Sequence, residues 1–197
     1  MRNVSEYLTK QYLQGETLMH IRTQLTKKKS MHLKSFFQTK KMTAILQSIS
    51  KTKTKGKYVP NQYKYSYLSP SAKLQKNIQS FFSFLLSETF IRYVSFISGK
   101  KLSLASLCVK VYRKGDYKVI HDTSIKSRVR IVIDLTKQWK EHYGGMIGIH
   151  EGNEFITIPL KKNDLSIVLC TKNTKDFVLY VKHFAKQKRV FVELSFS

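Results

Sequence analysis

The chain has 197 residues, with 36 Lys and Arg against 12 Asp and Glu, and a formal net charge of +24. This length suits one domain, and a hydrophobic content of 42% is enough for a sizeable core, which excludes a disordered basic tail. No stretch approaches ~18 uninterrupted apolar residues, and the first residues lack an apolar run before a cleavage site, so neither a spanning helix nor a secretory signal is predicted. We therefore expect an intracellular protein that is not secreted, in the cytoplasm or in mitochondria.

The positive charge is concentrated in the first half of the chain. Residues 1–100 carry 18 Lys and Arg with three acidic residues, giving +15, whereas residues 101–197 carry 18 with nine, giving +9. Such an excess suggests an anionic partner, with RNA or a ribonucleoprotein ahead of an acidic membrane surface. A general enrichment in lysine, without any binding site, explains the same charge, and both interpretations stay open.

The first half is predicted to be helical apart from one basic loop. Apolar residues at spacings of three and four predict helices across residues 6–46 and 71–99, with Gly99 ending the second run. Between them, residues 51–71 are rich in Lys, Thr and Tyr and contain glycine and proline, which predicts a basic loop. Interleaved Lys and Tyr suit RNA binding through phosphate pairing and base stacking, but a solvated loop held by its tyrosines accounts for the same pattern.

After Lys101 the periodicity changes from that of a helix to that of a strand. Short runs rich in Val, Ile, Leu and Phe are separated by polar turn residues, a pattern typical of an antiparallel sandwich or barrel. The eight runs are LASLCVKVY, YKVIHD, VRIVIDL, GMIGIHEG, EFITIPL, LSIVLC, FVLYV and RVFVELSF. The chain is thus predicted to be α+β, with a helical support region (residues 1–100, including the loop 51–71) and a β core (residues 101–197) forming one domain.

Three phrases follow one another in order along the second half. Residues 112–123 read YRKGDYKVIHDT, residues 139–145 run from a tryptophan to a Gly-Gly pair, and residues 159–163 lead from proline and asparagine into a strand. Over roughly residues 30–197 this order resembles the prolyl-hydroxylase-type iron(II)/2-oxoglutarate-dependent dioxygenases, in the branch that includes ribosomal prolyl hydroxylases. The resemblance implies N-terminal helices packed on a C-terminal double-stranded β-helix, or jelly-roll, barrel.

The resemblance also implies a site where two His and one carboxylate hold iron(II), with open positions for 2-oxoglutarate and oxygen. His121 matches the first ligand. The carboxylate belongs two residues further on, where this chain has Thr123, while Asp122 points to the opposite face unless a bulge turns it inward. The position of the second His carries Asp176. These four residues are the candidate metal ligands, and the set departs from the family pattern at 123 and 176.

Arg189 matches the basic residue that binds the distal carboxylate of 2-oxoglutarate in this family, since a guanidinium grips a carboxylate through two hydrogen bonds. Lys188 and Tyr112 are the further candidates for this pocket. A strand-end surface cation and a core tyrosine are the alternative roles of Arg189 and Tyr112. Trp139 is interpreted as a packing anchor. His183 lies seven residues beyond Asp176, an odd separation that puts it on the other face of a straight strand, so it does not easily replace the missing second His. The remaining histidines have no partner at ligand spacing and are interpreted as surface or packing residues: His20, His32, His142 and His150.

The sequence leaves two main functions open. In one, the protein hydroxylates a side chain of a protein substrate, most plausibly a prolyl residue, using iron(II) and 2-oxoglutarate. In the other, the barrel has lost its metal and a catalytically silent basic protein binds RNA or a ribonucleoprotein, such as a ribosome, through its N-terminal half. The altered ligand set favours impaired or lost catalysis. Oxidative demethylation of nucleic acid on the same fold ranks last, because no motif of its own supports it.

Overall fold

In the computed structural model, residues 4–68, 74–120, 128–151, 154–159 and 161–197 are described. The α-helices in this part of the chain are α1 (Gly15–Lys28), α2 (Thr39–Lys51), α3 (Lys76–Leu85) and α4 (Glu88–Ser98). The strands are β1 (Ser30–Leu33), β2 (Lys55–Val59), β3 (Tyr63–Leu68), β4 (Leu104–Tyr112), β5 (Tyr117–Lys118), β6 (Val129–Asp134), β7 (Ile147–Glu151), β8 (Glu154–Ile158), β9 (Leu165–Leu169), β10 (Lys175–Val178) and β11 (Arg189–Phe196).

The described strands form one antiparallel sheet that curls into a nearly closed barrel with two walls. The larger wall has the order β1-β9-β6-β11-β4-β3, and the smaller wall has the order β5-β10-β7-β8. Pairing of β3 with β5 joins the two walls, and β2 pairs with β3. This is the jelly-roll arrangement that the resemblance implied, so the predicted α+β class and the barrel are confirmed.

The larger wall has two different faces because side chains alternate along each strand. On β11, Val190, Val192 and Leu194 face the helices and belong to a large apolar core that includes the aromatic residues of α3 and α4. Phe191 faces the other way, into the barrel, where it joins a smaller core with Tyr112. The helices therefore cover one face of the wall, and the second face lines the barrel interior.

The predicted second helical run is two helices rather than one. Ser87 separates α3 from α4, and its hydroxyl accepts a hydrogen bond from the Phe90 backbone N–H at 3.3 Å, which caps α4. Gly99 ends α4 with a φ of 66°, as predicted. No single helix in the described part of the chain is long and apolar enough to cross a membrane, and only α3 with α4, bent by 46°, passes by length and composition together.

The first predicted helical run, residues 6–46, is interrupted by a strand. β1 lies between α1 and α2 and pairs with β9, with Leu33 opposite Leu165. Phe36 and Phe37 precede α2 and are fully buried. The apolar residues at helical spacing around β1 are buried by a strand and the turn after it rather than by a helix, because β1 pairs with β9.

The segment predicted as a basic loop, residues 51–71, contains a β-hairpin. β2 and β3 pair from Lys55 opposite Tyr67 to Val59 opposite Tyr63. β3 pairs in turn with β4 and β5. The alternation of Lys and Tyr is the period of two that a half-buried strand requires. It was missed because it lies among Lys and Tyr rather than among apolar residues, with Gly56 inside β2 and Pro60 in the turn.

The strands of the second half follow the predicted runs closely. One difference concerns the site, because β10 begins at Lys175 and ends at Val178, so Asp176 lies inside the strand rather than before it. A second difference is the length of β5, which covers only Tyr117–Lys118 of the run YKVIHD in the described residues.

Candidate functional site

Three of the four predicted metal ligands, His121, Asp122 and Thr123, lie outside the described residues. Their convergence on Asp176 therefore stays a prediction. Asp176 itself is on β10 of the smaller wall, with its side chain 6% exposed in the barrel interior.

Two cations hold the Asp176 carboxylate. Lys118 Nζ donates to Oδ1 at 2.5 Å, and Arg130 Nη2 donates to Oδ2 at 2.9 Å. Burial alone raises the pKa of a carboxyl group, but Arg130, followed by Lys118 and Lys110, outweighs it and holds the pKa of Asp176 well below its usual value. Asp176 is therefore an ionised carboxylate whose two oxygens already have partners.

The same arginine binds a second buried carboxylate. Arg130 Nη2 lies 2.6 Å from Glu193 Oε1, and Lys110 Nζ lies 2.6 Å from Glu193 Oε2. Burial raises the pKa of Glu193, but Arg130 and Lys110 lower it more strongly, to about 2. We call this set the interior ion cluster; its members are Lys110, Lys118, Arg130, Asp176 and Glu193.

Strand alternation explains why these side chains meet. Lys110 is on β4, Arg130 on β6 and Glu193 on β11, each at an interior-facing position of the larger wall. Lys118 and Asp176 come from β5 and β10 of the smaller wall. The Arg130–Asp176 pair therefore ties the two walls together inside the barrel, where solvent screens it little.

A second buried arginine lies further along β11. Arg189 is 3% exposed, and its Nη2 lies 3.5 Å from Asp134 Oδ2. Its guanidinium also stacks 5.2 Å from the centre of the Trp139 ring. Among the described residues, Arg189 Nε and Nη1 have no hydrogen-bond partner. Burial lowers the pKa of Arg189, and Asp134 only partly opposes this effect.

Tyr112 lies directly opposite Arg189 in the β4–β11 pairing. Its ring is fully buried and stacks on Phe191 at 5.5 Å and on Tyr65 at 5.4 Å. Its hydroxyl has no hydrogen-bond partner within the described part of the chain, and burial raises the pKa of Tyr112. Arg189 and Tyr112 are therefore paired on neighbouring strands, and their joint role in binding 2-oxoglutarate stays a prediction.

The remaining cosubstrate candidate, Lys188, does not join them. It is half-buried and lines a groove on the outside of the barrel. Trp139 packs at its turn, where Nε1 donates to the Gly144 carbonyl at 2.9 Å and the ring contacts Tyr143. This agrees with the interpretation of Trp139 as a packing anchor.

The described residues do not fit an iron site. They contain no group of three His, Cys, Asp or Glu side chains placed to hold a metal ion. Asp176 has both oxygens in ion pairs, and the neighbouring Lys118 and Arg130 repel a dication. For 2-oxoglutarate, Arg189 offers two unpaired nitrogens, but Asp134 already places a carboxylate beside the same guanidinium.

Sequence reasoning missed the interior ion cluster in which Asp176 takes part. Lys110, Arg130 and Glu193 each interrupt an apolar strand at a position whose neighbours in alternation face the barrel. A charged residue at an interior-facing position is rarely tolerated unless it is paired, and this signal was available in VRIVID and VFVELSF.

A further polar chain joins β1 to β9. His32 contacts Asp164 Oδ2 through Nε2 at 2.8 Å and Ser166 Oγ through Nδ1 at 3.0 Å. Ser166, His32 and Asp164 are thus connected in the order of a nucleophile, a base and an acid that orients the base. Ser166 is 3% exposed and its hydroxyl also contacts the Pro159 carbonyl at 3.2 Å, so this chain holds β1 in register rather than presenting a nucleophile.

Solved structures share this fold at low sequence identity. An oxidoreductase of the 2OG-Fe(II) oxygenase family from Burkholderia pseudomallei is 11% identical, with a TM-score of 0.69 over 91% of this chain and 90% of that one. A prolyl-4-hydroxylase from Pseudomonas putida is 12% identical, with a TM-score of 0.66 over 91% and 97%. A Trichoplax adhaerens prolyl hydroxylase, solved with a hypoxia inducible factor peptide, is 14% identical, with a TM-score of 0.68 over 92% and 89%.

No curated protein matches the chain. The family described as "oxoglutarate and iron-dependent oxygenase degradation C-term" matches residues 1–197. The expected relationship to iron and 2-oxoglutarate oxygenases is therefore confirmed at the level of the family and the fold. Together with the jelly-roll barrel, this match shows that the chain belongs to the oxoglutarate- and iron-dependent oxygenase degradation C-terminal family.

Proposed function

We propose that this barrel is catalytically silent and serves as a binding domain for RNA or a ribonucleoprotein. The proposed loss of catalysis rests on the two ion pairs that Asp176 makes with Lys118 and Arg130. A carboxylate that ligates iron needs a free lone pair directed at the metal, and both Asp176 oxygens are directed at cations instead.

Freeing Asp176 for a metal would leave Arg130 with one carboxylate fewer in a buried setting. Removing one partner from a buried ion pair costs about 3–5 kcal/mol, because the other charge stays buried without compensation. Iron would also have to bind next to two cations that remain in place. Both costs oppose metal binding, so the interior ion cluster supports a structural role for Asp176.

An anaerobic titration tests the loss of catalysis. The purified protein is mixed with iron(II) and 2-oxoglutarate, and the charge-transfer absorption band and the release of succinate are measured. An oxygenase with an intact pair of histidines and carboxylate, treated in parallel, controls for the reagents. We expect neither signal from this protein. A charge-transfer band together with stoichiometric succinate would contradict a silent barrel and return Asp176 to the metal ligands.

The second part of the proposal is supported by charge and by the β2–β3 hairpin. The chain carries a formal charge of +24, and Lys55, Lys57 and Lys64 are exposed on this hairpin. Tyr58 lies between them with 63% of its surface exposed. Cations that pair with phosphates and an exposed ring that stacks on a base are the elements of sequence-tolerant single-strand binding.

Binding to RNA is tested with a labelled single-stranded oligouridylate across a salt series. We expect the logarithm of the association constant to fall linearly with the logarithm of salt concentration, because binding releases counterions. Absence of binding at low salt would remove the RNA part of the proposal without affecting the conclusion about catalysis.

A further inference from the structure

A groove of about 870 Å³ lies between α2 and one end of the barrel. Its floor is apolar, with Leu46, Ile49 and Val190 among the lining residues. Six cationic side chains line it and none of its lining residues is acidic; the cations are Arg113, Lys114, Lys137, Lys162, Lys186 and Lys188.

The topology explains why these cations form a row. Lys162 precedes β9, Lys137 follows β6, Lys186 precedes β11 and Arg113 follows β4. These four strands are neighbours in the order β9-β6-β11-β4, and because adjacent strands are antiparallel the four residues lie at the same end of the wall. At about 4.8 Å between strands, the row extends over about 14 Å. Such a row suits an extended anion better than a single compact one.

The row continues onto the β2–β3 hairpin. Arg113 donates to Ser66 Oγ at 2.6 Å and to Thr54 Oγ1 at 3.2 Å, so its guanidinium links the groove to the hairpin. Lys64 lies on the same side, 4.0 Å from the buried Asp116 carboxylate. We call this continuous surface, from Lys162 through the groove to the hairpin, the cationic track.

Exposed aromatic rings lie along the cationic track. Phe184 is in the groove with 56% of its surface exposed, and Tyr58 is on the hairpin with 63% exposed. Nucleobases stack on exposed aromatic rings. An acidic peptide would pair with the cations but gives no role to exposed rings in the groove and on the hairpin.

The cations in the groove also repel one another. Burial, followed by the nearby Arg113, lowers the pKa of Lys188. The Asp116 carboxylate interacts with Lys64 and Arg113, so it offsets part of the positive charge at the hairpin end of the track.

We infer that the cationic track, centred on this groove, is the binding site for single-stranded RNA, with the lysines and Arg113 on the phosphates and Phe184 and Tyr58 under the bases. The inference rests on the proposed RNA-binding function and deepens it. It moves the contact from the N-terminal helices as a whole to the end of the barrel, where α2 and the hairpin are the parts of the N-terminal half that border the track.

A matched pair of charge-reversal variants tests the location. The first combines Lys137→Glu, Lys162→Glu and Lys186→Glu, all exposed and on the cationic track. The control is a second triple variant with the same change of charge at exposed lysines elsewhere, namely Lys10→Glu, Lys27→Glu and Lys101→Glu. Affinity for labelled oligouridylate is measured for each across the salt series. Thermal unfolding of each variant checks that the fold is retained.

We expect the track variant to lose more than tenfold in affinity at low salt, and its salt slope to fall by about 2, since each lost phosphate contact removes about 0.7. The control variant should keep a slope close to that of the unchanged protein. Phe184→Ala should weaken binding at least about fivefold at every salt concentration, because stacking depends little on counterions.

Three results would overturn the inference. Equal losses in the two triple variants would leave RNA binding in place but remove the groove as its site. Competition by polyglutamate as effective as that by unlabelled oligouridylate would show that the track selects acidic peptides instead. No binding by the unchanged protein would overturn both the site and the proposed RNA function, which separates that failure from the first two.

Discussion

The barrel interior contains two buried arginines that the fold treats differently. Arg130 contacts two carboxylates, from Asp176 and Glu193, at 2.9 and 2.6 Å. Arg189 has one carboxylate, from Asp134, at 3.5 Å, and two nitrogens without a partner in the described part of the chain. Arg130 is thus shared between two carboxylates, although its Nε has no hydrogen-bond partner in the described residues, whereas Arg189 keeps two unused donors at the position that the family resemblance assigns to cosubstrate binding.

The two ends of the barrel interior differ in how their charges are compensated. At the Asp176 end, both carboxylate oxygens pair with cations, from Lys118 and Arg130. At the Arg189 end, a single internal acid accompanies the arginine, and its carboxylate also accepts a hydrogen bond from the Thr136 backbone N–H at 2.7 Å. The Asp176 carboxylate is therefore fully paired, whereas the Arg189 guanidinium keeps donors without a partner in the described residues.

The largest expected effect comes from removing Arg130. Arg130→Met should lower the free energy of unfolding by about 3–5 kcal/mol, because two buried carboxylates lose their shared partner. Chemical denaturation measures the change. Arg130→Lys keeps the charge, but lysine lacks the planar guanidinium that reaches both carboxylates. Its free energy of unfolding should therefore lie between those of the unchanged protein and of the Arg130→Met variant. A loss below 1 kcal/mol for the Arg130→Met variant would show that the interior ion cluster contributes little to the stability of the fold.

A second effect is an acid-induced loss of stability through Glu193. Its pKa is lowered to about 2 in the folded protein from an ordinary value of 4.5. A depressed carboxyl pKa stabilises the fold above the unfolded-state pKa, so this contribution should disappear as the pH falls from about 4.5 towards 2. Thermal unfolding between pH 7 and pH 2.5 measures it. The Glu193→Gln variant should be less stable than the unchanged protein at pH 7, and its stability should depend less on pH across this range. Equal pH dependence in the two proteins would show that Glu193 does not cause the acid-induced loss.

The smallest effect is expected at the other arginine. Arg189→Met should cost about 1–3 kcal/mol, the penalty of one buried acceptor group that loses a partner. The loss is smaller than at Arg130 because burial already raises the pKa of Asp134, which can take up a proton. Adding Asp134→Asn should recover part of the loss. If the Arg189→Met variant were less stable than the Arg130→Met variant, Arg189 rather than Arg130 would be the arginine that contributes more to stability.

The barrel was predictable because apolar alternation marks its strands directly in the sequence, as in the run from Arg189 to Phe196. The break in the helical region at Ser87 was not predicted, although serine before Glu88 is a favourable helix start. The β2–β3 hairpin was missed because its alternation lies among Lys and Tyr rather than among apolar residues.

The candidate site was predicted only in part. Position 176 was recognised as a departure from the family pattern, but its consequence depends on Lys118 and Arg130, which lie 58 and 46 residues away in sequence. Local spacing carries no information on such pairs, because barrel closure brings them together. Arg189 and Tyr112 were predicted to line one 2-oxoglutarate pocket; they are paired in register on β11 and β4, and the pocket itself stays a prediction.

The strand order has a consequence for how the protein is made. β1 pairs with β9 and β4 pairs with β11, so strands synthesised early must wait for partners that follow much later in the chain. β3, which pairs with a strand of each wall, likewise borders both walls. A chain emerging from the ribosome therefore exposes unpaired strand edges until β9 and β11 have been synthesised, which slows folding and favours assistance by chaperones.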